Sequence, residues 1–110
     1  MANTFKNSIS ASIGTTETII YTAPAATVTT VIGVSVANRV NQNINVDVKL
    51  NDTTGGKSAF ICTGSLVPPG SNIVLVGGDQ KVVLKATDYL TLKSNVASSA
   101  DIIISVLEIS

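Results

Sequence analysis

The chain has 110 residues, room for one domain with one core. Its 7 basic and 7 acidic residues cancel and make up only 13% of the chain, so no net field draws it to nucleic acid or an anionic membrane. It has no histidine, which removes Ser-His-Asp and Cys-His catalysis and the usual zinc sites.

Val and Ile dominate the apolar residues, and Thr, Ser and Asn fill most of the remainder: a strand-forming alphabet with turn-forming punctuation. The opening MANTFKNSISASIG has no continuous apolar core and is not expected to act as a secretory signal. Within it Phe5, Ile9 and Ile13 are spaced for a helix face, while Ile9, Ala11 and Ile13 alternate with Ser8, Ser10 and Ser12 as in a strand. The serines and Gly14 disfavour a helix, so residues 1–13 are read as an N-terminal strand or arm and 14–110 as a single domain.

Next comes ETIIYT, stopped at Ala23-Pro24, and then VTTVIGVSVAN, with Val28, Ile32, Val34 and Val36 expected on one face and Thr29, Val31, Gly33, Ser35 and Ala37 on the other. The clearest pattern is NINVDVKLND: Ile44, Val46, Val48 and Leu50 alternate strictly with Asn45, Asp47, Lys49 and Asn51, one buried face and one wet face. SAFICTGSL follows the loop DTTGG and stops at Pro68-Pro69-Gly70. NIVLVG, KVVLKA, YLTLKS and DIIISVLEIS complete the series. Between the first two of these, Gly77-Gly78-Asp79-Gln80 returns at once to a strand pattern, so it reads as a hairpin turn that exposes Asp79, Gln80 and Lys81, not as a phosphate loop leading into a helix. Some seven to nine short strands are expected, an all-β antiparallel sandwich or jelly-roll-like small barrel.

The last strand offers Ile102, Ile104 and Val106 to one face and Ile103, Leu107 and Ile109 to the other, with Ser105 the polar break. Either the strand is central and its second face is covered by loops, or that face meets another subunit; a small two-layer domain has little else to cover it, so a subunit interface is the first expectation.

Chemistry finds few candidates. The acids Glu17, Asp47, Asp52, Asp79, Asp88, Asp101 and Glu108 could in principle supply a glycosidase pair, but they are expected as solvated turn and edge residues. NDTTGG offers one carboxylate, too little for tight calcium, and reads as a flexible hairpin loop. With no Trp and only Tyr21, Tyr89, Phe5 and Phe60, a carbohydrate platform has little material. An isopeptide cross-link from Lys49, Lys85 or Lys93 would need burial, and alternation points these lysines outward. Cys62 is expected to be a small buried hydrophobe, and a lone thiol suits assembly in a reducing cytosol. No catalytic, cofactor or metal residue is assigned, and no enzyme activity is expected.

The segments MANTFKN, TIIYTAPAATVTTVIGVSVAN, VDVKLND, VPPGSNIVLVGGDQKVVLKATDYL and SSADIIISVLEIS, in this order, resemble small β-sandwich virion structural proteins of tailed phages, especially those infecting cyanobacteria. The resemblance implies a non-enzymatic virion part assembled in the host cytoplasm. A capsid decoration (cement) protein stabilising the head shell is the first expectation; a neck, tail or fibre component, with a possible host-surface role, is the alternative. The implied partners are the major capsid protein or neck and tail proteins, and further copies of the chain in a homo-oligomer such as a trimer, with no nucleic acid and no membrane.

Overall fold

The computed structural model of the chain describes residues 3–77 and 81–109. It is all-β, with β1 (Asn3–Ile13), β2 (Thr18–Thr22), β3 (Val28–Asn38), β4 (Ile44–Asp52), β5 (Lys57–Val67), β6 (Asn72–Val76), β7 (Val82–Leu84), β8 (Tyr89–Ser94) and β9 (Ala100–Ile109). Two antiparallel sheets form: β1-β9-β3-β6, with β7 also on β3, and β2-β8-β4-β5.

The pairing follows a nested rule. β4 pairs with β5 across the Asp52–Lys57 turn, β3 pairs with β6 and β7, β2 with β8, and β1 with β9. The chain is thus one long hairpin, rolled until β8 meets β4 and β9 meets β3. This is the jelly-roll arrangement, in which the roll pairs the interior strands on both sides.

Aliphatic side chains dominate the space between the sheets. Val31, Val34, Val36, Ile102, Ile104, Val106, Val76 and Leu84 enter from the first sheet, and Ile44, Val46, Val48, Leu90, Leu92 and Val67 from the second, all without solvent exposure. Branched residues suit this role because they stand stiffly off a pleated surface and fill a layer about 10 Å thick without long rotamers to freeze. At one end Asn38, nearly buried, closes the β3–β4 corner: its Nδ2 donates to the carbonyls of Gln42 (2.6 Å) and Val67 (2.9 Å), and its Oδ1 accepts from Val40 N (2.9 Å).

Two sequence expectations need correction. In β3 the pairing with β9 slips between Val31 and Gly33. A bulge adds one residue to one strand and reverses which side chains face inward. Thr29 and Val31 are therefore buried ahead of the bulge and Val34 and Val36 after it, while Val28 and Ile32 fall on the outer side.

The second concerns LVGGDQKVVL. Gly78, Asp79 and Gln80 lie outside the described residues. The flanks, however, rule out a hairpin: β6 pairs antiparallel with residues 34–37 of β3, and β7 antiparallel with residues 29–31. Two segments that both oppose β3 run in the same direction, so β6 and β7 lie in line as one interrupted edge strand. The two described ladders on β3, ending at Val34↔Val76 and Val31↔Val82, lie on either side of the β3 bulge.

Candidate interaction faces

Once the roll has formed, each sheet turns one face to the core and one outward, and the two outer faces differ in chemistry. On the first sheet the register sets side chains in rows across the strands. Phe5, Leu107, Thr30 and Val83 form one row; Asn7, Ser105 and Gly33 the next; Ile9, Ile103, Ser35 and Val74 a third; Asp101, Ala37 and Asn72 a fourth. Asp101 is the one charged side chain in these rows, and Arg39 pairs with it at 3.2 Å.

β1 gives this face its unusual character. Opposite the inward Val106, Ile104 and Ile102 it places Lys6, Ser8 and Ser10, while Phe5 and Ile9 point away from the sandwich at 75% and 66% exposure. A strand that only covered its own core would be oriented the other way round. The register slip between Ser10 and Ile13, with Ser12 at φ 57°, reverses the facing again and returns Ile13 to the core. The inward polar groups are used: Ser8 Oγ donates to the Ile20 carbonyl (3.0 Å), and Lys6 Nζ pairs with Glu108 (2.9 Å).

The outer face of the second sheet is charged. Glu17, Asp47, Lys49, Phe60, Thr91 and Lys93 line a cleft of about 100 Å³. Thr91 donates to Glu17 (2.6 Å) and Lys49 Nζ sits 3.0 Å from the same carboxylate, so Thr91 first and Lys49 second hold the Glu17 carboxyl below its ordinary range. Asp47 Oδ1 accepts from Gly64 N (2.6 Å) and Thr63 Oγ1 (3.2 Å). Gly64, at φ 64°, takes the left-handed conformation that this β5 bulge needs and that a side chain would strain. A glycosidase acid needs a carboxyl pushed up, not down, and Glu17 is built the opposite way.

The other acids divide. Asp52 caps its own turn, its Oδ1 accepting from Thr54 N (3.1 Å) and Gly55 N (3.0 Å), and Lys85 pairs with its Oδ2 at 3.2 Å. The Gly55 amide and then Lys85 hold its carboxyl low. The NDTTGG loop is thus a hairpin as expected, and one tied down rather than loose. Asp79 lies outside the described residues.

Two acids expected in solvent are buried, Asp88 at 2% and Glu108 at 8% exposure. Asp88 accepts from Lys85 N (3.0 Å) and Thr53 N (3.1 Å), joining the loop before β8 to the β4–β5 turn. Asp88→Ala should leave these amides unpaired and lower unfolding stability by about 1–3 kcal/mol, readable in a denaturant titration.

Glu108 accepts from the Tyr21 hydroxyl (2.5 Å), which also lies 3.1 Å from Thr29 Oγ1, and pairs with Lys6. The Tyr21 bond, then Lys6, lowers the Glu108 carboxyl, whereas burial and the Glu108 carboxylate push the Tyr21 phenol up to about 12. The sequence held a signal for Glu108: it continues the inward parity of Ile102, Ile104 and Val106. Cys62 is a free thiol and half-buried rather than buried, 3.7 Å from the Val46 carbonyl.

No protein-family model matches the chain, and no curated protein matches it in sequence. Among solved structures it is similar to a chain of the Bacillus endospore appendages, described as a novel family of disulfide-linked pili, with a TM-score of 0.52 and 10% identity over 98% of this chain and 88% of that one. It is also aligned with a chain of the infectious bursal disease virus Gt strain at a TM-score of 0.48 and 8% identity, over 98% of this chain and 30% of that one, too distant to carry an argument. The endospore-appendage likeness is one of fold alone and extends over nearly the full length of the chain.

Proposed function

We propose that this protein is a non-enzymatic virion structural protein, acting as a capsid decoration subunit that stabilises the head shell by subunit contacts, with the outer face of β1-β9-β3-β6/β7 as a subunit interface. The observation that carries this reading is the inverted β1, which spends Phe5 and Ile9 on solvent while filling its inward side with Lys6, Ser8 and Ser10. An apolar, nearly uncharged sheet face of this extent is what a docked subunit needs and what a free monomer has no use for. The fold supports it as well, since the endospore-appendage chain is described as belonging to pili. Partners would be the major capsid protein and further copies of this chain, and many copies would turn a modest contact into a large gain in shell stability.

β1 would act as the arm of the subunit and residues 14–110 as its body. The arm does not reach a neighbour by donating a free strand, since it is already paired with its own β9 from Asn3↔Ile109 to Ser10↔Ile102. A second reading, a neck, tail or fibre component, draws on the opposite face: the exposed Phe60 ring beside Asp47 and Lys93 would remain free to touch a host surface.

Quantitative gel analysis of purified particles separates the two. A copy number in simple proportion to the major shell protein supports decoration. A handful of copies per particle moves the protein to the tail, and its absence from particles overturns both readings.

A further inference from the structure

We propose that the partner of the first sheet's outer face is a second copy of this chain, docked face to face and offset by one row. The inference rests on the structural-subunit reading and names the partner for the same face.

Relief is the first argument. Moving along β9 from Leu107 to Asp101, the rows alternate large, small, large, small: Phe5–Leu107–Thr30–Val83, Asn7–Ser105–Gly33, Ile9–Ile103–Ser35–Val74, and Ala37–Asn72 beside Asp101. The small rows are shallow depressions. One open depression is lined by Phe5, Lys6, Asn7, Ile32 and Ser105, and another by Ser35, Ala37, Asn72, Asp101 and Ile103, so a groove lies on each side of the Ile103 ridge. A surface with ridge and groove side by side at equal spacing is complementary to itself about a two-fold axis set between them. The Ile103 ridge of each copy then fills the Ser105 groove of the other, and the Leu107 ridge lies over the other copy's Ala37–Asn72 depression.

Charge is the second argument. Two copies of a face brought together must put like against like somewhere, and any net charge there would repel its own image. The charged side chains at this face, Asp101 and Lys6, are each already paired, with Arg39 at 3.2 Å and with Glu108 at 2.9 Å. The second sheet's outer face carries four charged side chains, Glu17, Asp47, Lys49 and Lys93, which sum to zero but would all have to be desolvated on docking.

Area is the third. Four strands about 4.8 Å apart and about 30 Å long present roughly 500–600 Å² per copy, or about 1,000–1,200 Å² in total, at the lower edge of specific interfaces. The expected product is a reversible dimer of micromolar affinity, which crowding of copies on a particle would drive to completion.

The test is sedimentation equilibrium of the full chain and of three variants, each checked for an unchanged β-sheet circular dichroism spectrum. Ile103→Lys, at a position 51% exposed and so harmless to folding, should weaken pairing at least about 100-fold, because each symmetric contact buries the lysine twice. Ser105→Phe should weaken it too, by filling the groove, although it adds apolar surface. Leu66→Lys, on exposed β5 of the other sheet, should leave it unchanged.

A wild type that stays monomeric, pairing indifferent to Ile103→Lys, or pairing tightened by Ser105→Phe overturns the self-docking. If the wild type is monomeric yet present in particles, only the partner is wrong and the structural-subunit reading stands. If it dimerises as described but is absent from particles, the reverse holds.

Discussion

Replacing Ile104 by alanine should destabilise the monomer by about 2–5 kcal/mol, while Ile103→Ala, one residue away, should change it by no more than about 0.5 kcal/mol. Ile104 is fully buried at the centre of β9, between β1 and β3 and facing β4 and β8 across the core, whereas Ile103 projects outward. The jelly roll leaves no flexible element over Ile104 that could collapse into the vacated space, since both sheets are tied by ladders on either side. Chemical denaturation at low protein concentration, where contacts between copies contribute nothing, reads the difference. Equal losses at the two positions would mean that β9 does not present these faces.

The second large effect is expected at Tyr21. Tyr21→Phe keeps the ring and removes the hydroxyl that donates to Glu108, leaving a nearly buried carboxylate with Lys6 as its remaining partner. A lost hydrogen bond to a charged group should lower stability by about 1.5–3 kcal/mol.

The pH dependence follows from the directions of the two shifts. Glu108 has a lowered carboxyl in the folded state, so its contribution is fully present above the unfolded value, ordinarily near 4.5, and is lost as pH falls through the lower folded value. Tyr21 has a raised phenol, so its contribution is present below the unfolded value of 10.0 and disappears as pH rises through about 12. Wild type minus Tyr21→Phe stability should therefore be flat between these limits and shrink beyond both. A difference constant from acid to base would show that Glu108 and Tyr21 do not share a proton-sensitive contact.

How far the sequence anticipates these features depends on bulges. β4 could be read residue by residue because Ile44, Val46 and Val48 keep one parity throughout the buried part of the strand. In β3 the slip at Val31–Gly33 makes the two halves obey opposite parities, and hydropathy has no marker for that beyond Gly33 itself. β1 was legible as a strand but not in its orientation, because its serines look like a wet face, whereas Ser8 bonds the β2 carbonyl of Ile20 and Ser10 lies opposite the inward Ile102.

Gly77 and the residues after it carry every local signal of a turn, yet β6 and β7 continue along β3, because the roll needs one long partner for an 11-residue strand. Tertiary pairing overrides turn chemistry there. The outer face was half visible: Ile103, Leu107 and Ile109 announced it along β9, but the contributions of Phe5, Val74 and Val83 depend on which strands flank β9 and β3, and strand order is not written in any local pattern. The cleft of Glu17, Asp47, Lys49 and Lys93 has the same origin, since only the β2-β8-β4-β5 order brings residues 17, 47, 60 and 91 together.

The claim that this sandwich has one docking face and one solvent face is tested most directly by a reconstruction of the purified particle that carries it. The outer side of β1-β9-β3-β6/β7, with Phe5, Ile9 and Ile103, should be covered by a neighbouring subunit, and the Glu17–Lys49–Phe60 side should face solvent. Density in which Phe5, Ile9 and Ile103 stand in open solvent while the charged face is covered would contradict the account.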